Sequence, residues 1–497
     1  MSVLTKLFKG GLLLSAANLL VRVSGLLVLV PLARILGPTH LGIYSLVFWL
    51  VQSSSALGRL GIDVAMHRNG AKLYRTDPVA TGRLLGVGST LMGIAFTAIT
   101  AAVWIWRSPL AEHWLGNAGA AEWMGYAAVL LFIEGIGLIL MTSLLSLHSF
   151  KAHSLVTVIG ALGRLMLSPF LAWYYGLLGA FVGLIVASFL QLGAAVITFR
   201  RSLKLYDISL QLRGFWQESY QIFRFGLPFY AGNALINLLF LPMMGTVGRL
   251  AGLEALGQLR IGQALSQIVG FLPNAVAPVA ISVLSEAYGQ EEQDFQKLQS
   301  VHLRFNWLLA LIFATFLNLA VSPLIYLLFG KAYEGAVPLA IGMAWWAMLT
   351  VVVDSFNISS VATGSTYLIA LSSFIQKIIF ISLTFILIPS QGAMGFILGL
   401  IAGTLIQFSI LLVFFWRKLQ SLLKRQILIL GVFSLVSIGL NLLVNYWNFA
   451  PGVLEITTIP ITLLFGSLCT WSILSSTELE RLIHKVRYYL YKKFPDK

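Results

Sequence analysis

Apolar runs of about 20 residues recur from one end of the chain to the other, each long enough to cross a hydrocarbon core of about 30 Å. A soluble amphipathic helix keeps a polar face, and these runs do not. Of 497 residues 58% are hydrophobic and 10% charged, against roughly 25% charged in soluble domains. The alternating segments of about 10 residues that mark a membrane barrel are absent. The chain reads as an all-α polytopic membrane protein.

Fourteen candidate spans follow, at about 11–36, 41–62, 84–106, 123–147, 154–175, 177–199, 221–247, 255–284, 303–329, 337–361, 366–388, 392–416, 427–447 and 454–476. The first run continues past Arg22 to Leu36, too long for a signal-peptide core, and is read as a retained membrane helix. Pro228, Pro242, Pro273 and Pro278 interrupt the seventh and eighth spans, where kinks would let helices bend. The lone Cys469 excludes a disulfide scaffold or a cysteine-based metal site.

The chain also repeats itself. Shifted by 215, the turn holding Arg34, Gly37, Leu41 and Gly42 falls on Arg249, Gly252, Leu256 and Gly257. Shifted by 216, Gly176, Gly179, Gly183, Leu184 and Gln191 fall on Gly392, Gly395, Gly399, Leu400 and Gln407. Two echoes at nearly one offset make spans 1–6 and 7–12 copies of one unit. An even number of spans per copy makes them parallel repeats. The expected organisation is a six-helix bundle over 1–200, a basic linker over 201–220, a second six-helix bundle over 221–416, two extra helices over 427–476 and a basic amphipathic tail over 477–497.

Charge fixes the expected orientation. The net +15 does not point to nucleic acid, because the basic residues follow the loops. Arg68, Lys72, Arg75, Lys151, Arg200, Arg201, Lys204, Arg213 and the basic C-terminus fall on one side, which the positive-inside rule makes cytoplasmic along with both termini. The tail, with a capping box at Thr477–Glu480, reads as a helix on the anionic inner leaflet.

Charges inside the spans carry the functional information. Arg22, Arg164 and Lys377 sit near the middle of spans 1, 5 and 11, where each costs about 2.5–3.5 kcal/mol on insertion scales. A water-filled cavity would relieve that cost, and its cationic wall would suit an anionic substrate. Ion pairing with Glu134 or Asp354, the deepest acids, is the competing account. Those two acids are equally candidates for coupling to H⁺ or Na⁺. Arg34 and Arg249 are expected to fix helix ends at the outer turn, Arg59 and Arg260 to snorkel from span ends, and His67, His148 and His153 to be solvated. No Walker A motif, metal-spaced cluster or Ser/His/Asp set is present, so neither catalytic residues nor a cofactor or metal is expected.

The turn "ARILGPTHLGIYSLV", the stretch "GRLGIDVAMHRNGAKLYR", and the patterns "GLLGAFVGLIVASFLQ" and "QGAMGFILGLIAGTLIQ" resemble bacterial polysaccharide-export flippases. These are the lipid-linked oligosaccharide flippases of O-antigen and capsule type in the multidrug/oligosaccharidyl-lipid/polysaccharide exporter superfamily. The resemblance covers spans 1–12. It implies two bundles around a cationic cavity open alternately to either side of the inner membrane. It also implies a polyprenyl-pyrophosphate-linked oligosaccharide as substrate, with polymerase and assembly proteins as possible partners. On it, Arg22, Arg164 and Lys377 would hold the diphosphate, and Glu134 or Asp354 would serve coupling. The alternatives are a cation-coupled multidrug exporter and a peptidoglycan-precursor flippase.

Overall fold

The computed structural model describes residues 3–115, 120–288 and 292–416. The last two expected spans, Cys469 and the basic tail lie outside the described residues. In chain order the helices are α1 (Val3–Arg59), α2 (Ile62–Leu73), α3 (Pro78–Ile105), α4 (Arg107–Leu115), α5 (Ala121–Ser146), α6 (Phe150–Leu205) and α7 (Phe215–Ala251). They continue with α8 (Leu253–Ser266), α9 (Phe271–Tyr288), α10 (Glu292–Leu328), a 3-10 turn at Lys331–Tyr333, α11 (Ala336–Ala362), α12 (Thr366–Gln391) and α13 (Ala393–Trp416). Among the described residues there is no strand, and 8 helices are long and apolar enough to cross a membrane.

Two of those helices each hold two expected spans. α1 has 57 residues and would measure about 86 Å if straight, far beyond any bilayer. It breaks at Gly37, with φ 72° and ψ 171°. α6 breaks likewise at Gly176, with φ 58° and ψ −136°. There the chain folds back on itself, for the Ser168 hydroxyl donates to the Ala180 carbonyl at 3.0 Å. The expected eighth span is divided between α8 and α9.

The repeat is visible in the backbone. Gly252 takes φ 89° and ψ 161°, close to Gly37, and Gly392 takes φ 55°, close to Gly176. A side chain on Gly179 would strike the Leu171 carbonyl, and one on Gly395 would strike that of Leu387, its equivalent at the 216-residue offset. The 215-residue pair is reciprocal. Gly42 lies against the Leu253 carbonyl and Gly257 against that of Pro38. Small residues let helix backbones approach where the hydrophobic effect between helices is absent.

The chain divides into two compact units. Unit 1 comprises Met1–Leu265, Pro323–Ala340 and Lys377–Ala402; unit 2 comprises Ser266–Ser322, Ile341–Gln376 and the chain from Gly403 on. Within unit 1, Arg34 acts as a clamp on a helix end. Its Nε donates to the Leu328 carbonyl at 2.8 Å and its guanidinium also reaches that of Leu327. These are terminal carbonyls of α10, which lack intrahelical partners. Tyr333, raised above its usual pKa by burial, donates to the Ala33 carbonyl at 2.8 Å. Arg249, the repeat equivalent of Arg34, is exposed. Within unit 2, Phe408 packs on Trp307 and Phe356 at 5.8 and 6.0 Å. The Asn306 amide donates to Ser355 Oγ at 3.0 Å, joining α10 to α11.

Candidate functional site

Three in-span charges of unit 1, Arg164, Glu134 and Arg260, act on one buried phenol, Tyr44. Arg164, about a quarter of the way along α6, points its Nη2 at Glu134 of α5, 3.2 Å from Oε1. The same nitrogen donates to Gln191 Oε1 at 3.0 Å. Ser188 Oγ reaches the same Glu134 oxygen at 3.5 Å. Gly160, one turn before Arg164, leaves the room that Gln191 fills, since a Cβ there would collide with the Gln191 amide. The Arg164 and Glu134 side chains keep 30% and 14% of their surface exposed, so the pair is neither dry nor fully solvated. Of the counter-ions open to Arg164, the fold selects Glu134.

Tyr44 stands beside this pair. It is buried, stacked on Phe181 at 5.6 Å, and its hydroxyl meets that of Ser168. Arg164, Glu134 and Arg260 all act electrostatically on it. Arg260, in α8, does not snorkel as its position near a span end led one to expect. Its guanidinium lies 4.4 Å from the Phe48 ring centre, and Nη1 donates to Gln263 Oε1 at 3.2 Å. The Trp49 indole donates to the same oxygen at 3.3 Å. The ring face draws the cation inward. The sequence did hold a signal for this. Arg260 lies about 12 Å along the helix from Gly252, at 1.5 Å per residue, and so well inside the span. Two arginines and one carboxylate thus act on Tyr44, a local excess of positive charge suited to an anion.

The other expected site residues fall elsewhere. Arg22 is exposed in the first part of α1, among exposed Val21, Val23 and Leu27. Lys377 is half-buried in α12, between exposed Phe374 and Ile378. Asp354 belongs to unit 2. It lines a cavity of about 220 Å³ formed by α9, α10 and α11, with Pro273, Asn274, Asn306, Ser355 and Asn357 among its walls. Asp354 is the only charged residue lining that cavity, and Asn357 is its hydrogen-bonding neighbour. Cys-free, His-free walls offer it no metal-ligand set, and among the described residues no group of three or more His, Cys, Asp or Glu could hold a metal ion.

His67 is exposed, as expected, whereas His148 and His153 are partly buried. His148 packs on Tyr74 and Phe150 at 5.1 and 5.2 Å, where α2 meets the turn between α5 and α6. Burial first, then His67 and Arg75, push its pKa below the usual histidine value.

A protein family described as "Polysaccharide biosynthesis protein" matches residues 31–338, more than half of the chain. The chain belongs to that family. Comparison with the curated proteins returned no match. Among solved structures the chain is similar to the lipid II flippase MurJ in an inward closed conformation, with TM-score 0.70 and 15% identity, covering 95% of this chain and 100% of that one. It is similar also to an inward-facing multidrug resistance MATE family transporter of the MOP superfamily, with TM-score 0.66 and 17% identity over 81% and 95% of the two chains. A MOP superfamily transporter from Pyrococcus furiosus follows at TM-score 0.54 and 16% identity, over 81% and 94%. At these identities the likeness is one of fold. This polysaccharide-biosynthesis family member therefore has the fold of MOP-superfamily transporters and flippases, with helices suited to span a membrane many times.

Proposed function

We propose that the protein is a flippase that carries a polyprenyl-pyrophosphate-linked oligosaccharide from the cytoplasmic to the outer leaflet of the inner membrane, by alternating access, for surface polysaccharide synthesis. The observation that carries this reading is that two arginines, Arg164 and Arg260, and one carboxylate, Glu134, act on Tyr44, with Glu134 paired to Arg164. A diphosphate supplies the missing negative charge, and planar guanidinium groups bind it through paired hydrogen bonds. Arg22 and Lys377, further cations within the helices, are assigned to the same substrate path. The six-helix bundles at 1–200 and 221–416 are the two moving bodies, joined by the linker at 201–220, with both chain termini cytoplasmic. Asp354, the one charge on its cavity, is the better supported acid for H⁺ or Na⁺ coupling. Glu134, held by Arg164, serves first as counter-charge. Polymerase and assembly proteins would act on the glycan after translocation.

The test follows radiolabelled lipid-linked sugar and surface polysaccharide together in a deletion strain. Precursor should accumulate with loss of surface glycan, and wild type should restore both. Arg164→Ala or Arg260→Ala should lower flux by about tenfold or more, the equivalent of roughly 1.4 kcal/mol of substrate binding. Unchanged surface glycan with new sensitivity to cationic drugs would instead favour a multidrug exporter.

A further inference from the structure

The linker between α6 and α7 and the first turns of α7 expose apolar side chains that no part of unit 1 covers. Leu205 is 76% exposed, Trp216 83% and Tyr220 67%. Trp216, Tyr220 and Leu227 recur at helical spacing on one face of α7. The opposite face is packed against the protein. There Ser219 and Ile222 are buried, Gly226 touches the Gly61 backbone, and Arg68 of α2 lies 4.2 Å from the Phe225 ring. The outward stripe is therefore a fixed face that none of the described residues covers.

Charge surrounds the stripe. Residues 200–224 hold five basic side chains (Arg200, Arg201, Lys204, Arg213, Arg224) and two acidic ones (Asp207, Glu218), a net of +3. All five basic groups are exposed, whereas Glu218 is half-buried and its pKa is raised by burial, against the opposing pull of Arg83. The segment between the helices is held in place from beneath. Gln211 N donates to the Gly82 carbonyl at 3.1 Å, and side chains on Gly82 or Gly86 of α3 would strike the Ser209 and Gln211 carbonyls. Ile208 is buried beside this groove.

We infer that this strap is a binding surface for anionic phospholipid headgroups at the membrane face where α6 ends and α7 begins. Indole and phenol rings favour the zone between hydrocarbon and water, and basic side chains next to it draw acidic lipids. Neither feature alone selects a partner. Together, on a strap continuous with two spans, they match the surface of an anionic leaflet. The strap joins the chain's two sequence repeats and grips α3, so lipid bound there acts on an element of the transporter itself. The inference holds whichever substrate the protein carries.

The experiment uses the full-length protein in nanodiscs and reads tryptophan fluorescence quenched by brominated lipid, with Trp216→Phe subtracted to isolate the Trp216 share. Brominated phosphatidylglycerol should quench that share at least about twofold more than brominated phosphatidylcholine at the same mole fraction. Replacing Arg200, Arg201, Lys204 and Arg213 by Gln should equalise the two lipids without removing the quenching. Equal quenching in the wild type overturns the anionic preference, and no difference between wild type and Trp216→Phe overturns the insertion. Saturable quenching by a brominated polyprenyl diphosphate, with none by phosphatidylglycerol, would reassign the surface to substrate capture.

Discussion

In unit 1 the carboxylate of Glu134 lies 3.2 Å from Arg164, with Gln191, Ser188 and Tyr44 completing the surroundings. In unit 2 the carboxylate of Asp354 shares its cavity with amides, a serine and apolar groups, and no basic residue lines that cavity. The two acids occupy corresponding spans of the repeat, yet the fold treats them differently. Where charges are held among helices, each is paired or placed on an aromatic face, because an isolated charge in a medium of low polarity is costly. Where the acid lines a cavity, the amide of Asn357 takes the place of a charged partner. The first arrangement suits a fixed wall that binds a counter-charged group. The second suits a group whose ionisation changes during a cycle.

The largest effect should come from removing the carboxylate that pairs with Arg164. Glu134→Ala leaves Arg164 without its carboxylate partner, and should lower stability by about 2 kcal/mol, less than a fully buried pair would lose because Arg164 is partly exposed. Thermal unfolding in detergent reads this. In a double-mutant cycle with Arg164→Met the losses should be strongly non-additive. Additive losses would mean that the two residues do not form a unit. Next in size, Arg260→Lys keeps the charge but loses the planar stack on Phe48 and the shared Gln263 oxygen. Transport should fall about fivefold, the equivalent of roughly 1 kcal/mol, with little change in unfolding temperature. Full activity in the Arg260→Lys variant would reduce Arg260 to a simple point charge.

Asp354→Asn sharpens the contrast from the other side. It removes no ion pair, so stability should change by less than about 0.5 kcal/mol. Its mark should be an altered dependence of transport on the H⁺ or Na⁺ gradient. If gradient dependence is unchanged in Asp354→Asn and in Glu134→Gln alike, neither acid couples. The smallest expected effect belongs to neither site. The His148 pKa is lowered in the fold, so the neutral ring is favoured there. The stability this contributes is complete above the unfolded value of 6.5 and is lost as pH falls below it. His148→Gln should flatten the unfolding temperature between about pH 7.5 and 5.5 by roughly a degree or two, leaving the Glu134 and Asp354 phenotypes untouched.

Much of the scaffold could be read directly from residue spacing. The 215- and 216-residue echoes anticipated backbone turns at Gly37 and Gly252 and at Gly176 and Gly392, because only glycine tolerates those left-handed conformations without strain. Arg34 at a helix end followed from its place in the same turn. His67 is exposed as its loop position implies, but His148 and His153 were misread because adjacency to a loop says nothing about which neighbouring helix covers it. Arg260 was misread because distance from a span end measures snorkelling only when the side chain faces lipid, and here an aromatic ring faces it instead.

By itself the sequence determined that this is a helical membrane protein, where its chain turns, that it is built from a repeat, and which charges stand inside the apolar runs. Those properties depend on composition and on local backbone chemistry, which act over a few residues. Tertiary structure alone decided that Arg164 takes Glu134, that Arg260 acts with them on Tyr44, that Asp354 is left to a cavity, and that the strap after α6 keeps an apolar face uncovered by the described residues. Each of these is a choice of partner between helices distant in sequence, and charge attraction and packing make that choice only once the helices are side by side.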